Sequence, residues 1–93
     1  MEGIKSKRYL YDKMTPETIR VLCAVYHVDY TTISAEIGIT RRTFYDRQET
    51  GRWKDTEKEK IISIFQQRGL ELSEIVLYHA IAEYKSNTFR GGF

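Results

Sequence analysis

Residues 29–48 have the sequence DYTTISAEIGITRRTFYDRQ, which predicts two short helices joined by a tight turn. Asp29 can accept hydrogen bonds from the free backbone amides that open a helix, so the first helix is expected over 30–37. Gly38 follows the last apolar position, where a left-handed turn favours a residue without Cβ. The buried face of the first helix is predicted from residues at helical spacing, namely Ile33, Ser34 and Ile37.

The second helix of the pair is expected to begin at Thr40, a good N-cap, and to be anchored by Phe44. Ile39 is expected to pack under the turn. The side chains left exposed at the start of this helix are Arg41, Arg42, Thr43, Tyr45 and Asp46. A helix N-terminus attracts anions, and a guanidinium group donates paired hydrogen bonds to phosphates and guanine edges. This arrangement is typical of a helix that enters the DNA major groove by its N-terminus.

The same stretch resembles the helix-turn-helix of Cro/repressor-type (XRE-like) DNA-binding proteins of bacteria and their phages. Members of that family typically carry the pattern T-Q-x-x-L-A-x-x-x-G-[VI]-S-x-x-T-[IF] at this place. Aligned on Gly38, the corresponding positions here are Asp29, Tyr30, Ile33, Ser34, Ile39, Thr40, Thr43 and Phe44. Tyr30 replaces a glutamine that often contacts the DNA backbone, and the closing Glu-x-Gly lies one residue late. The resemblance covers roughly 16–77.

The resemblance implies an all-α, lambda-repressor-like fold, a compact bundle of about five short helices with a central helix-turn-helix. It also implies a small phage-like transcriptional regulator, a repressor or an activator, that binds double-stranded DNA sequence-specifically as a dimer. Base contacts are then expected from Arg41, Arg42, Tyr45 and Asp46. Backbone contacts are expected from Tyr30, Thr40, Thr43, Arg47, Arg52 and Lys54, whereas Trp53 is expected to pack at the core edge.

Two other functions fit the same pattern. Small phage DNA-packaging (terminase) subunits use comparable helix-turn-helix domains with oligomerising helices to recognise genome ends. Alternatively, the domain is a protein-interaction module, such as an inhibitor or antirepressor, that binds protein through the same face. A ring-sized mass in solution would favour the first, and weak DNA affinity without sequence preference would favour the second.

The remaining sequence predicts three segments. Residues 1–14 form a basic N-terminal arm, either along DNA or as a frayed terminus with Leu10 or Tyr11 packed on the core. Residues 15–85 form the helix-turn-helix domain, in which Thr15 opens one helix and the Thr56-x-x-Glu59 pattern opens another. The last helix, 73–85, is apolar around most of its circumference, so a homodimer through this helix is expected. Residues 86–93 are predicted to be a flexible tail.

Composition is consistent with a single globular domain, because 93 residues with 41% hydrophobic and 30% charged content form one core. The net charge is only +2, but residues 40–54 hold five basic side chains against two acidic ones. Nucleic-acid binding depends on such a local excess. Cys23 is the single cysteine, the N-terminus does not resemble a signal peptide, and no apolar run could span a bilayer, so a cytoplasmic protein is expected.

The sequence gives no indication of catalysis. No phosphate-binding glycine loop occurs, and His79 has no nucleophile near it in the sequence. Cys23 and His27 lie four residues apart, but two ligands without a further cluster do not predict a metal site. We therefore expect no enzyme activity, no cofactor, no metal and no small-molecule ligand.

Overall fold

The computed structural model describes residues 7–92, with side chains described as far as Tyr84. This part of the chain contains no strand and six helices, where about five were predicted. In chain order the helices are α1 (Lys7–Lys13), α2 (Pro16–Tyr26), α3 (Tyr30–Ile37), α4 (Arg41–Thr50), α5 (Asp55–Gln67) and α6 (Leu72–Gly92). The protein is therefore a small all-α bundle, as the sequence predicted.

The additional helix is α1, which lies within the segment 1–14 that we predicted to be a basic arm. Leu10 of α1 is buried, and Met14 directly after it is fully enclosed. Two basic side chains of α1 form ion pairs with α5. The Lys7 ammonium lies 3.4 Å from a Glu59 oxygen, and Arg8 pairs with Asp55. Lys7–Lys13 is thus a packed helix rather than a loose arm, and the part of the predicted arm over 1–6 lies outside the described residues.

Three helices begin with the same capping device. The side-chain oxygen of the N-cap residue accepts a hydrogen bond from a backbone N–H in the first turn, which is otherwise without a helical partner. These bonds are Thr15 Oγ1 to the Thr18 amide (3.2 Å), Asp29 Oδ1 to the Thr32 amide (2.8 Å) and Thr40 Oγ1 to the Thr43 amide (3.0 Å). The bond from Thr32 also lowers the pKa of Asp29. All three N-caps were predicted from the sequence.

Two other boundaries differ from the prediction. Helix α5 begins at Asp55, and its first turn is closed by Glu57 Oε1, which accepts the Lys54 N–H at 3.0 Å. The predicted Thr56-x-x-Glu59 capping box is therefore wrong, because Thr56 already lies inside the helix. Helix α6 runs to Gly92 and so includes most of the predicted tail, 86–93, of which only Phe93 lies outside the described residues.

A single hydrophobic core joins the helices. Its largest fully buried side chains come from α2, α3, α4, α5 and α6, and include Ile19, Leu22, Ile33, Phe44, Ile61, Phe65 and Ile75. Helix α6 packs mainly against α2 and α1, whereas α3 contacts both α4 and α5. The core therefore fixes α3 and α4 together on one part of the bundle.

Helix α6 leaves part of its apolar surface uncovered. Val76, Leu77 and Tyr84 are 37%, 56% and 71% exposed, respectively, although Ile75 and Ala82 on the same helix are buried. None of the helices in the described part of the chain combines the length and hydropathy that crossing a bilayer requires.

Candidate nucleic-acid interface

The turn between α3 and α4 is closed by Gly38 in the left-handed conformation, with φ of +85°. The N–H groups of Gly38 and Ile39 each donate to the Ser34 carbonyl at 3.0 Å, which satisfies the end of α3. No atom lies within 4 Å of the position that a Cβ on Gly38 would take, so the backbone conformation rather than space requires glycine here. The predicted helix-turn-helix connection is present.

Helix α4 is held to the protein by a cluster of aromatic rings around Phe44. The Phe44 side chain is fully buried, and its ring centroid lies 4.6 Å from that of Tyr30 and 4.9 Å from that of Trp53. One ring comes from α3, one from α4 and one from the loop between α4 and α5. Each such pair contributes about 0.5–1.5 kcal/mol beyond its buried area. Trp53 packs at the core edge, as predicted.

The opposite face of α4 is fully open to solvent. Helical spacing places Arg42, Tyr45, Asp46 and Glu49 on a common stripe, and each of these residues is exposed. Arg41 lies at the edge of this outward stripe, with its guanidinium carbon 5.7 Å from the Tyr45 ring centroid. The Tyr45 ring in turn meets Tyr30 edge-on at 5.4 Å. The four residues predicted to contact bases thus share one accessible surface at the start of α4.

Several exposed basic side chains around α4 are not neutralised by an ion pair, whereas three basic side chains elsewhere are. Lys7, Arg8 and Arg68 each pair with a carboxylate on another helix. The described residues offer no ion-pair partner to four exposed basic side chains in and after α4, namely Arg41, Arg42, Arg52 and Lys54. Outside this region, Arg20 and Lys60 are also exposed and without one. Because the first amides of α4 add the positive end of its dipole, this region is suited to an anionic partner.

The two threonines at the start of α4 differ in what they can donate. Thr40 Oγ1 accepts the Thr43 amide and donates to Thr43 Oγ1 at 2.9 Å, so its proton is already used. The Thr43 hydroxyl accepts that bond and keeps its own proton for another acceptor. Of the two predicted backbone contacts, Thr43 is therefore the available donor and Thr40 its support.

Arg47 faces the protein and not the solvent. Its Nε lies 2.9 Å from Glu57 Oε1 and its Nη2 3.1 Å from Glu57 Oε2, and its side chain is only 21% exposed. Burial raises the pKa of Glu57, but the hydrogen bonds from Arg47 and from the Lys54 amide outweigh it, so the pKa is lowered overall. Arg47 was predicted to contact phosphate. The structure instead places it in a bridge between α4 and α5, because it lies three residues after Phe44 on the same side of the helix.

Gln48, which was not singled out from the sequence, connects four parts of the fold. Its amide nitrogen donates to the Pro16 carbonyl and to the Tyr30 hydroxyl, both at 3.1 Å. Its carbonyl oxygen accepts the Trp53 indole N–H at 2.9 Å. The spacing of four residues from Phe44 would have placed it on the inner side of α4. Gln48 therefore links α4 to α2, to α3 and to the loop that carries Arg52 and Lys54.

Cys23 and His79 both pack within the protein. Burial raises the pKa of the Cys23 thiol to about 12, so the side chain packs as a small hydrophobic group. His79 Nδ1 lies 3.2 Å from the hydroxyl of Thr18, which is fully buried. No group of three or more His, Cys, Asp or Glu side chains suited to a metal occurs among the described residues.

Comparison of the chain with protein-family models, with curated proteins and with solved structures finds no match. The likeness to Cro/repressor-type proteins therefore remains a resemblance in sequence pattern.

Proposed function

We propose that the chain binds double-stranded DNA sequence-specifically by inserting the N-terminal end of α4 into the major groove. The observation that best supports this is the exposed and unneutralised start of α4. Arg41 and Arg42 have no ion-pair partner among the described residues, and both lie in the first turn of a helix whose other face is anchored by Phe44. A rigid helix end with free amides and two guanidinium groups matches the groove in both shape and charge.

Base discrimination is assigned to the outward stripe and its edge. Arg41 and Arg42 can donate paired hydrogen bonds to guanine, and Asp46 can accept from the cytosine amino group. Tyr45 presents an apolar ring that suits a thymine methyl group, and its contacts with Arg41 and Tyr30 fix its position. A good bidentate contact contributes about 1–3 kcal/mol of base discrimination.

Phosphate contacts are assigned to Tyr30, Thr43, Arg52 and Lys54. Arg52 and Lys54 are exposed on either side of the buried Trp53, so the loop is held in place while its charges stay free. Thr43 and Tyr30 are neutral donors beside the outward stripe. Such contacts set the register of the protein on the duplex but carry no sequence information themselves.

The experiment compares Arg42→Ala with Arg52→Ala, two variants that remove the same charge. Binding sites are first selected from a random DNA pool, and affinities for the selected and for mixed-sequence duplexes are then measured over a range of salt. We expect Arg42→Ala to reduce the preference for the selected site roughly 5- to 150-fold. Arg52→Ala is expected to weaken both duplexes alike and to reduce the salt slope by about 0.9. Equal loss of preference in both variants would contradict this division of roles.

We further propose that the protein acts as a homodimer and regulates transcription in the manner of small phage regulators. The proposal is supported by the exposed apolar side chains of α6, since Leu77 and Tyr84 are more than half exposed. Sedimentation analysis of wild type and of Leu77→Lys tests the dimer, with Tyr9→Lys, a similarly exposed position on α1, as the control. We expect only Leu77→Lys to yield monomer, and a monomeric wild type would contradict the proposal.

The same measurements separate the other two functions. A ring-sized mass instead of a dimer would favour a DNA-packaging role. Weak DNA affinity with little salt dependence would favour a protein-interaction module, because genuine phosphate contacts produce a steep dependence on salt.

A further inference from the structure

We infer that Gln48 is a positioning residue that makes the Tyr30 hydroxyl a directed hydrogen-bond donor toward a DNA phosphate. The inference rests on the proposed function and adds to it a residue, Gln48, that makes no DNA contact of its own. It follows from the polarity of the hydrogen bonds around the Gln48 side chain, which the chemistry of its partners determines.

The orientation of the Gln48 amide is fixed by two partners that each have only one possible role. The Trp53 indole N–H can only donate, so the Gln48 carbonyl oxygen must face it, at 2.9 Å. The Pro16 backbone carbonyl can only accept, so the Gln48 amino group must face that side, at 3.1 Å. Both partners therefore require the same orientation.

This orientation determines the role of Tyr30. The second N–H of the Gln48 amide donates to the Tyr30 phenol oxygen at 3.1 Å. The phenol consequently acts as an acceptor toward the protein, and its own proton must point in another direction. Among the described residues, no acceptor receives that proton. Hydrogen bonds in such a chain also polarise one another, which strengthens the phenol as a donor.

Two aromatic contacts hold the Tyr30 ring in this position. The Tyr30 ring lies against Phe44, with centroids 4.6 Å apart, and meets Tyr45 of the outward stripe at 5.4 Å. Tyr30 is half-buried, and it is the first residue of α3. A phosphate beside the outward stripe would therefore meet a neutral donor whose direction is already set, so little conformational freedom would be lost on binding.

The test is a double-mutant cycle of Tyr30→Phe and Gln48→Glu, measured as affinity for a mixed-sequence duplex at low salt. Tyr30→Phe removes the donor and is expected to weaken binding about 5- to 10-fold. Because a neutral donor releases no counterion, the salt slope should stay unchanged. A carboxylate at position 48 still accepts from Trp53 but cannot donate to Tyr30. The phenol then donates inward, so Tyr30→Phe should cost less than about 2-fold in this background.

Two controls keep the result specific. The indole N–H resonance of Trp53, the only tryptophan, should stay at its hydrogen-bonded position in Gln48→Glu, which reports an intact site. Gln66→Glu, the same substitution at an exposed position of α5, should leave affinity within about 2-fold. If Gln48→Glu does not fold, Gln48→Met replaces it. The phenol then loses its fixed direction, and Tyr30→Phe should again cost less than in wild type.

The outcomes separate the two claims. If wild type binds duplex DNA but the effects of the two substitutions multiply, the positioning role of Gln48 is overturned and the proposed function stands. If wild type shows no salt-dependent binding, both fall. A loss of Tyr30→Phe sensitivity in the Gln48 variant, with unchanged salt slope, supports the inference.

Discussion

The bridge between Arg47 and Glu57 gives the sharpest prediction of stability, because its side chains are the most buried of any ion pair in the described part of the chain. The Glu57 carboxylate accepts three hydrogen bonds: from Arg47 Nε at 2.9 Å, from Arg47 Nη2 at 3.1 Å and from the Lys54 amide at 3.0 Å. Glu57→Gln can keep the two bonds that Oε1 accepts, from Arg47 Nε and from the Lys54 amide. The third is lost, because the new amino group faces Arg47 Nη2 and both groups are donors.

The expected loss follows from that single bond. A hydrogen bond to a charged group contributes about 1.5–3 kcal/mol, so the free energy of unfolding should fall by about 2 kcal/mol. For a domain of this size, that loss lowers the Tm by about 8–16 °C. Urea denaturation and thermal melting both measure it. Glu59→Gln on the same helix is the control, because its side chain is 57% exposed and lies 3.4 Å from Lys7, so it should cost less than about 0.5 kcal/mol.

The pH dependence provides a second check. Since the pKa of Glu57 is lowered in the folded protein, its ionised form stabilises the fold above its ordinary value of 4.5. The difference in the free energy of unfolding between wild type and Glu57→Gln should be largest at neutral pH. It should disappear as the pH falls through the folded-state pKa of Glu57. Equal destabilisation by Glu57→Gln and Glu59→Gln, or a difference that grows on acidification, would refute the reasoning.

Three further predictions concern the helix-turn-helix and its surroundings. Phe44→Ala should destabilise the protein by about 3–5 kcal/mol, measured by urea denaturation, because the ring is fully buried. Gly38→Ala should lower the free energy of unfolding by about 1–2 kcal/mol because of the φ of +85° alone, since no atom crowds the site. An unchanged free energy of unfolding would argue against the left-handed turn. Cys23, whose pKa is raised to about 12 by burial, should resist a thiol reagent at neutral pH until denaturant is added, whereas rapid labelling of folded protein would contradict its burial.

The helix-turn-helix could be predicted from the sequence because its signals are local. Asp29, Gly38 and Thr40 each act within one helical turn, through a cap or a left-handed backbone, and no distant part of the chain has to be known. The structure begins α3 at Tyr30 and α4 at Arg41, as these signals indicate. Phe44 was predictable as well, since it is the single strongly apolar residue of α4.

Helix α1 and the role of Arg47 could not be predicted in the same way. Residues 7–13 are mostly polar or charged. The helix packs through Leu10, and its charges pair with residues of α5 that are about fifty positions away in the chain. Arg47 and Arg52 look alike in the sequence. Helical spacing from Phe44 places Arg47 on the inner side of α4, but it is the position of Glu57 on α5 that gives Arg47 its partner. Contacts between segments that are distant in the chain thus decide the packing of α1 and the pairing of Arg47, which local sequence patterns do not predict.

The way α4 is attached explains how one short helix can serve both the fold and a partner. Phe44 is its only fully buried side chain, so much of its attachment depends on polar links, through Gln48 to Pro16, Tyr30 and Trp53 and through Arg47 to Glu57. Arg47 and Gln48, which make these links, both lie on the inner side of α4, within four residues of Phe44. Arg42 on the outward stripe takes part in none of these links, so Arg42→Ala should leave the Tm unchanged within about 2 °C. A large loss of stability in that variant would mean that the two faces of α4 are not independent.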